Sequence, residues 1–193
     1  MPLIVMVGPN AIGKTTAAAR WYESYPSLVS VSCDNGLVRA NGLSNVIPRD
    51  REKGWSGSVE EKTALVRKYR DLERVVLIES ARTDIVRFAE GEGWLLVVTC
   101  NGPTHKRHLQ ARCEAKRKRF REDYWTDQKL TYESFGRYNN AANRYWDCAK
   151  TERFVVEDQE TDWARIDDWF GTLFRKLHNG LIRNSGSSSD SIG

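Results

Sequence analysis

The chain has 193 residues, 40% of them hydrophobic and 29% charged, which excludes disordered and fibrous classes and leaves room for one well-buried domain. Its formal charge of +4 hides an asymmetry: His105 to Arg121 holds eight Lys or Arg against one Glu, a local +7 that leaves −3 for everything else. The apolar opening run Leu3 to Val7 is too short for a membrane span and no basic segment precedes it, so neither a membrane anchor nor a signal peptide is expected.

In chain order, Leu3 to Val7 reads as a fully buried strand that runs into a Gly-rich turn and then a helix from Lys14 to about Tyr22. Leu28 to Cys33, Val75 to Ile78, Leu95 to Thr99 and Phe154 to Val156 are four further strand candidates. Their alternation with helical patterns predicts an α/β fold with a five-stranded, mostly parallel sheet and helices on both faces. Ser58 and Glu61 make a capping box for a helix reaching about Glu73, and Thr161 is the expected cap of a last helix carrying Trp163, Ile166, Trp169, Phe170, Leu173, Phe174 and Leu177 at helical spacing. Asn35 to Gly57 reads as a loop, and residues 184–193 as a flexible tail behind a single domain over 1–183. Cys33, Cys100, Cys113 and Cys148 are widely spaced, without CxxC or zinc-like pairing, and read as reduced thiols of a cytoplasmic protein.

Gly8-Pro9-Asn10-Ala11-Ile12-Gly13-Lys14-Thr15 is a complete GxxxxGK[ST] motif, placed between a buried strand and a helix as its chemistry requires. The glycines let consecutive N–H groups turn inward around a phosphate, and the helix start adds its positive end. Lys14 is positioned for the β- and γ-phosphates, Thr15 for Mg²⁺, and Thr16 continues the cradle. This predicts a P-loop NTPase fold that binds a nucleoside triphosphate with Mg²⁺, ATP being the expected donor. The chain has no LSGGQ-type signature, no NKxD guanine-reading motif and is short for a helicase core, which leaves the small kinases.

A kinase needs an acid at the acceptor hydroxyl, a group for the metal shell and cations over the transferring phosphoryl. Asp34, after the second strand, is the candidate base, and Arg39 the candidate acceptor-binding residue. Glu79 ends the strand Val75 to Glu79 and is the second metal candidate; Arg82 reads equally as a substrate contact or a helix-start charge. The basic stretch occupies the place of a kinase lid, about 103–127, with Arg107, Arg112, Lys116, Arg117 and Arg119 as the phosphate-facing candidates. Trp55, in a Gly-Trp-Ser-Gly loop near Arg49, Arg51 and Lys53, is a candidate stacking platform for a base. Phe135, Tyr138, Tyr145 and Trp146 recur at helical spacing and read as core or groove wall.

The ordered segments LIVMVGPNAIGKTT, VSVSCDNGLVR, VVLIESARTDIVRFAEGEGWLLVV and HLQARCEAKRKR resemble the kinase half of bacteriophage polynucleotide kinases over roughly residues 1 to 121. The resemblance implies that Asp34 is the general base, that Arg39 is the nearest match to an arginine binding the acceptor's phosphate, and that Arg112 with Lys116 or Arg117 supplies the lid cations. Glu79 departs from the family's Asp, and no DxDGT phosphatase motif is present. A stand-alone kinase domain also looks like the phage enzymes that phosphorylate 5-hydroxymethyluracil in DNA, which implies the host cytoplasm. Three readings stay open here: a kinase acting on a hydroxyl in DNA, a kinase of free nucleosides, nucleotides or other small molecules, and a nucleic-acid-binding ATPase module.

Overall fold

The computed structural model describes residues 2–33, 37–40, 74–88 and 93–186. Its sheet contains β1 (Leu3–Val7), β2 (Val29–Ser32), β3 (Leu37–Arg39), β4 (Val76–Ser80), β5 (Trp94–Thr99) and β6 (Thr151–Val155), in the order β3-β2-β4-β1-β5-β6. The five expected strands are all present and mutually parallel. A sixth, β3, pairs antiparallel with the edge of β2, with Arg39 opposite Ser30. The sequence predicts a loop over these residues. Three residues are too few to show a period of two, and they become a strand only by satisfying the outer edge of β2.

The strands read as continuous apolar runs because helices cover both faces. Leu3, Val5 and Val7 of β1 share one face with Val31, Ile78 and Val97, and meet α2 (Asp84–Phe88) and α5 (Arg137–Tyr145) through Ile85, Val86, Tyr138 and Ala142. Ile4 and Met6 face the other way, with Leu77, Leu96 and Val98, against α1 (Lys14–Ser24) and α6 (Gln159–Gly186). Between β5 and β6 lie α3 (Gly102–Ala115), α4 (Asp127–Thr131) and a π-helical turn, Tyr132–Gly136, that leads into α5.

α1 is clamped to α6. The Trp21 ring stacks on Phe170 at 3.8 Å, and Asp167 accepts from Trp21 Nε1 at 2.6 Å and from Arg20 Nη2 at 2.7 and 2.8 Å. Burial of each such ring contributes roughly 1.5–3 kcal/mol. The cap of α6 is Asp158 rather than Thr161: its Oδ1 accepts from the N–H groups of Glu160 and Thr161, while Asp162 Oδ2 reaches back to the N–H groups of Glu157 and Asp158. That reciprocal pair does the work of a capping box, with the returning carboxylate one position later, at the fourth helical residue. The helix then runs to Gly186, past the expected start of the tail at Asn184. All four cysteines are free thiols. Among the described residues, no helix is long and apolar enough to cross a membrane. The expected capping box at Ser58 and Glu61 lies outside the described residues.

Candidate functional site

The motif loop joins β1 to α1 and is held from two sides. Gly8 packs so closely on β5 that an added Cβ would lie 2.1 Å from the Val98 carbonyl oxygen. Gly13 has φ of +108°, and a Cβ there would meet the Trp163 ring at 3.0 to 3.2 Å. Trp163 Nε1 also donates to the Ile12 carbonyl at 3.0 Å, so α6 supports the loop from behind. Lys14 is buried, and its Nζ donates to the carbonyls of Gly8 and Pro9 at 2.9 Å each. The ammonium therefore stands across the mouth of the loop. The N-cap of α1 is Gly13, which has no side chain to cap the first turn, so the positive end of the helix is suited to an anion.

The sheet order brings β4 beside β1, and with it Glu79 beside the loop: Met6 and Ser32 are its register partners on either side. Glu79 is buried, its Oε1 accepts from Thr15 Oγ1 at 2.8 Å, and its Oε2 is buried without a partner among the described residues. A buried, orphaned carboxylate oxygen next to the motif hydroxyl fits a Mg²⁺ shell completed by phosphate oxygens and water. Among the described residues, no three His, Cys, Asp or Glu side chains gather into a protein-only metal cage.

Opposite the loop stands α3. Asn101 caps it by accepting from the Thr104 N–H at 2.8 Å, and after Ala115 the chain turns off at Arg117 (φ 52°), with Lys118 N–H bonded to the Cys113 carbonyl and Arg117 N–H to the Glu114 carbonyl. This is a Schellman-type stop. A cavity of about 580 Å³ separates helix and loop, walled by Thr15 and Thr16 on one side and His108, Arg112 and Lys116 on the other. Gln159 closes one end, donating through Nε2 to His108 Nε2 at 2.9 Å. Of the candidate lid cations, Arg112 and Lys116 line this cleft, while Arg117 and Arg119 are exposed away from it and Arg107 donates to Thr104 Oγ1. Two other cations of the stretch are ion-paired, Lys106 with Glu122 and Arg121 with Asp123.

The fold is a P-loop α/β fold. It is similar to a sulfotransferase from Alicyclobacillus acidocaldarius, with a TM-score of 0.53 and 11% identity over 89% of this chain and 79% of that one. An uncharacterized protein from Eubacterium ventriosum ATCC 27560 aligns with a TM-score of 0.51 and 13% identity, over 88% of this chain and 98% of that one. Shikimate kinase from Aquifex aeolicus aligns at 0.43 and 11% identity, over 98% and 99% of the two chains. No protein-family model and no curated protein matches the sequence. At such identities the likeness establishes the fold alone, and the chemistry must be read from the side chains.

The remaining sequence candidates are distributed as follows. Asp34 and Trp55 lie outside the described residues; Cys33, just before Asp34, bonds through its N–H to the Glu79 carbonyl at 3.0 Å. Arg39 lies on β3, with Nη1 buried and unpartnered among the described residues. Arg82 pairs with Asp84 at 2.5 Å in the first turn of α2. Three residues beside the cradle were not legible as such in the sequence: Trp163, Gln159 and His105. His105 is buried under the loop, facing the Asn10 backbone, with Nδ1 2.8 Å from Ser134 Oγ. Ser134 Oγ in turn donates to the Leu130 carbonyl. Burial pushes the His105 ring down to about 4 and the Cys100 thiol up to about 11. A lone His in a basic helix carries no signal of this placement.

Proposed function

We propose that this chain is an ATP-dependent kinase that transfers the γ-phosphate to a hydroxyl in DNA, on a 5-hydroxymethyl pyrimidine base or at a 5′ end. The observation that supports the kinase reading is the Lys14 cradle with the Thr15–Glu79 corner at its edge, facing Arg112 and Lys116 across one cleft. In this reading the loop N–H groups and Lys14 hold the β- and γ-phosphates, and Arg112 and Lys116 offset charge that develops on the transferring group. Thr15 and Glu79 would hold Mg²⁺, which when bound neutralises phosphate charge. Asp34 is the proposed base for the acceptor hydroxyl, and Arg39 the proposed contact to the acceptor. DNA as acceptor is supported by the resemblance to phage polynucleotide kinases and to phage 5-hydroxymethyluracil DNA kinases.

Labelled ATP offered with hydroxymethyluracil duplex, a 5′-hydroxyl oligonucleotide and a nucleoside panel tests the proposal. Label is expected in DNA. Label in free nucleosides alone would replace the DNA acceptor with a small one, and DNA-stimulated ATP hydrolysis without any labelled acceptor would replace the kinase itself. Asp34→Asn is expected to slow transfer roughly 10²- to 10⁴-fold while leaving ATP binding intact; full activity in that variant removes Asp34 as the base.

A further inference from the structure

α3 borders a second cavity. Residues 108, 111, 112 and 116 face the phosphate cleft, and 109 and 113, together with 112 and 116, face this second cavity of about 330 Å³. Its apolar wall comes from Leu109, Phe120 and Trp125, and Lys118 stands at its side. The two cavities share Asn10, Arg112 and Lys116, so whatever fills the second lies next to the phosphate end of the first.

Three features give this cavity a defined chemistry. Phe120 and Trp125 are only half-buried, and the Trp125 ring is braced edge-on by His105 at 5.7 Å and Tyr124 at 5.2 Å. Lys129, which does not line the cavity, stands over the Trp125 ring with Nζ 4.9 Å from its centroid. Arg112, Lys116 and Lys118 have no side-chain partner among the described residues, whereas Lys106 and Arg121 nearby are neutralised by Glu122 and Asp123. Braced aromatic faces bordered by uncompensated cations are the means by which proteins hold single-stranded nucleic acid: bases stack and phosphates pair. The volume lies at the small end of ligand pockets, roughly 300–1,000 Å³, and suits one ring system. The first cavity already extends past Thr16 to Gln159, so a nucleotide in the cradle has room of its own, while the second meets the loop only at Asn10.

We propose that Phe120 and Trp125 form a base-stacking subsite for a single nucleic-acid strand, with Arg112, Lys116 and Lys118 on its phosphates. The subsite is an acceptor site only if the chain is the kinase proposed above; its preference for bases is independent of that reading.

Binding without ATP tests it. Anisotropy of a 3′-labelled ten-nucleotide DNA strand is compared with that of the same strand made wholly abasic. Wild-type protein is expected to bind the base-bearing strand about tenfold tighter. Trp125→Ala and, separately, Phe120→Leu should bring that ratio towards one with abasic binding unchanged, and Trp125→Phe should restore it. Lys118→Ala should weaken both strands alike and reduce the salt dependence. An unchanged ratio in folded Trp125→Ala and Phe120→Leu overturns the proposal. So does a loss of affinity for a fluorescent ATP analogue in those variants with strand binding intact, which would assign the pocket to the donor nucleotide. If no acceptor takes label yet the ratio behaves as expected, the kinase reading falls and the subsite stands; transfer to DNA with an unaltered ratio gives the reverse.

Discussion

The two walls of the larger cavity are built to opposite rules. On the cradle side, Lys14 is 5% exposed, Gly8 touches the backbone of β5 and Gly13 lies under the Trp163 ring, so an added methyl group has nowhere to go. On the facing side, the buried residues of α3 are Gly102, Thr104, His105 and Leu109, all in its first eight positions. From Gln110 onward the helix, with Arg112, is held by its own backbone and its Schellman stop. One wall is part of the core; the other has few contacts to lose if it moves. In the proposed kinase reading, stability and charge delivery are thus separated across a single cleft, which is the arrangement a closing lid needs.

Substitutions on the two walls should therefore fail in different ways, and the largest contrast comes from Gly8→Ala. Its Cβ would strike a backbone carbonyl, and the expected cost exceeds about 3 kcal/mol, seen as a large fall in Tm together with loss of nucleotide binding. A variant that melts like wild type would show that the loop can lift off β5. Arg112→Ala should do the opposite. Tm stays put, within about 0.5 kcal/mol, while kcat drops roughly 10²-fold; loss of stability without loss of kcat would reverse the roles of the two walls.

Trp163→Phe sharpens the comparison at smaller scale. It keeps an aromatic ring, smaller than the indole, and removes the donor to the Ile12 carbonyl, for about 1 kcal/mol from the lost hydrogen bond besides the lost packing, and denaturant unfolding with ATP titration should show both a lower midpoint and weaker binding. The smallest effect expected is on pH. His105, which joins the walls, is kept neutral chiefly by burial, with Asn10, Glu133, His108 and Lys14 around it, and its value falls from 6.5 to about 4. The unfolded chain binds that proton more readily, so stability declines as pH drops from about 6.5 towards 4. Melts at pH 7 and pH 5 should show this slope in wild type and a shallower one in His105→Gln.

The site was legible to very different depths. Gly8 to Thr15 could be assigned residue by residue, because the torsions, N–H groups and side chains that cradle a phosphate are consecutive in the chain. Glu79 was placed as a metal candidate from its position at a strand end, but its bond to Thr15, 64 residues away, depends on β4 lying beside β1. The basic stretch was visible as charge, yet only packing separates Arg112 and Lys116, which face the cleft, from Arg117 and Arg119, which do not. The cap at Asp158 was missed in favour of Thr161 because both residue types cap well and the choice is made by where β6 ends.

By itself the sequence determines a phosphate-binding loop between a buried strand and a helix, the five parallel strands and a concentrated positive charge. These are properties of contiguous residues, set by backbone torsion, apolar runs and like charges in series. The tertiary structure decides what stands behind and opposite that loop. Trp163 reaches Ile12 across 151 residues, His105 lies under Asn10, and Phe120 and Trp125 meet α3 around a second cavity. Such contacts follow from strand order and helix packing, and no local pattern in the chain encodes them.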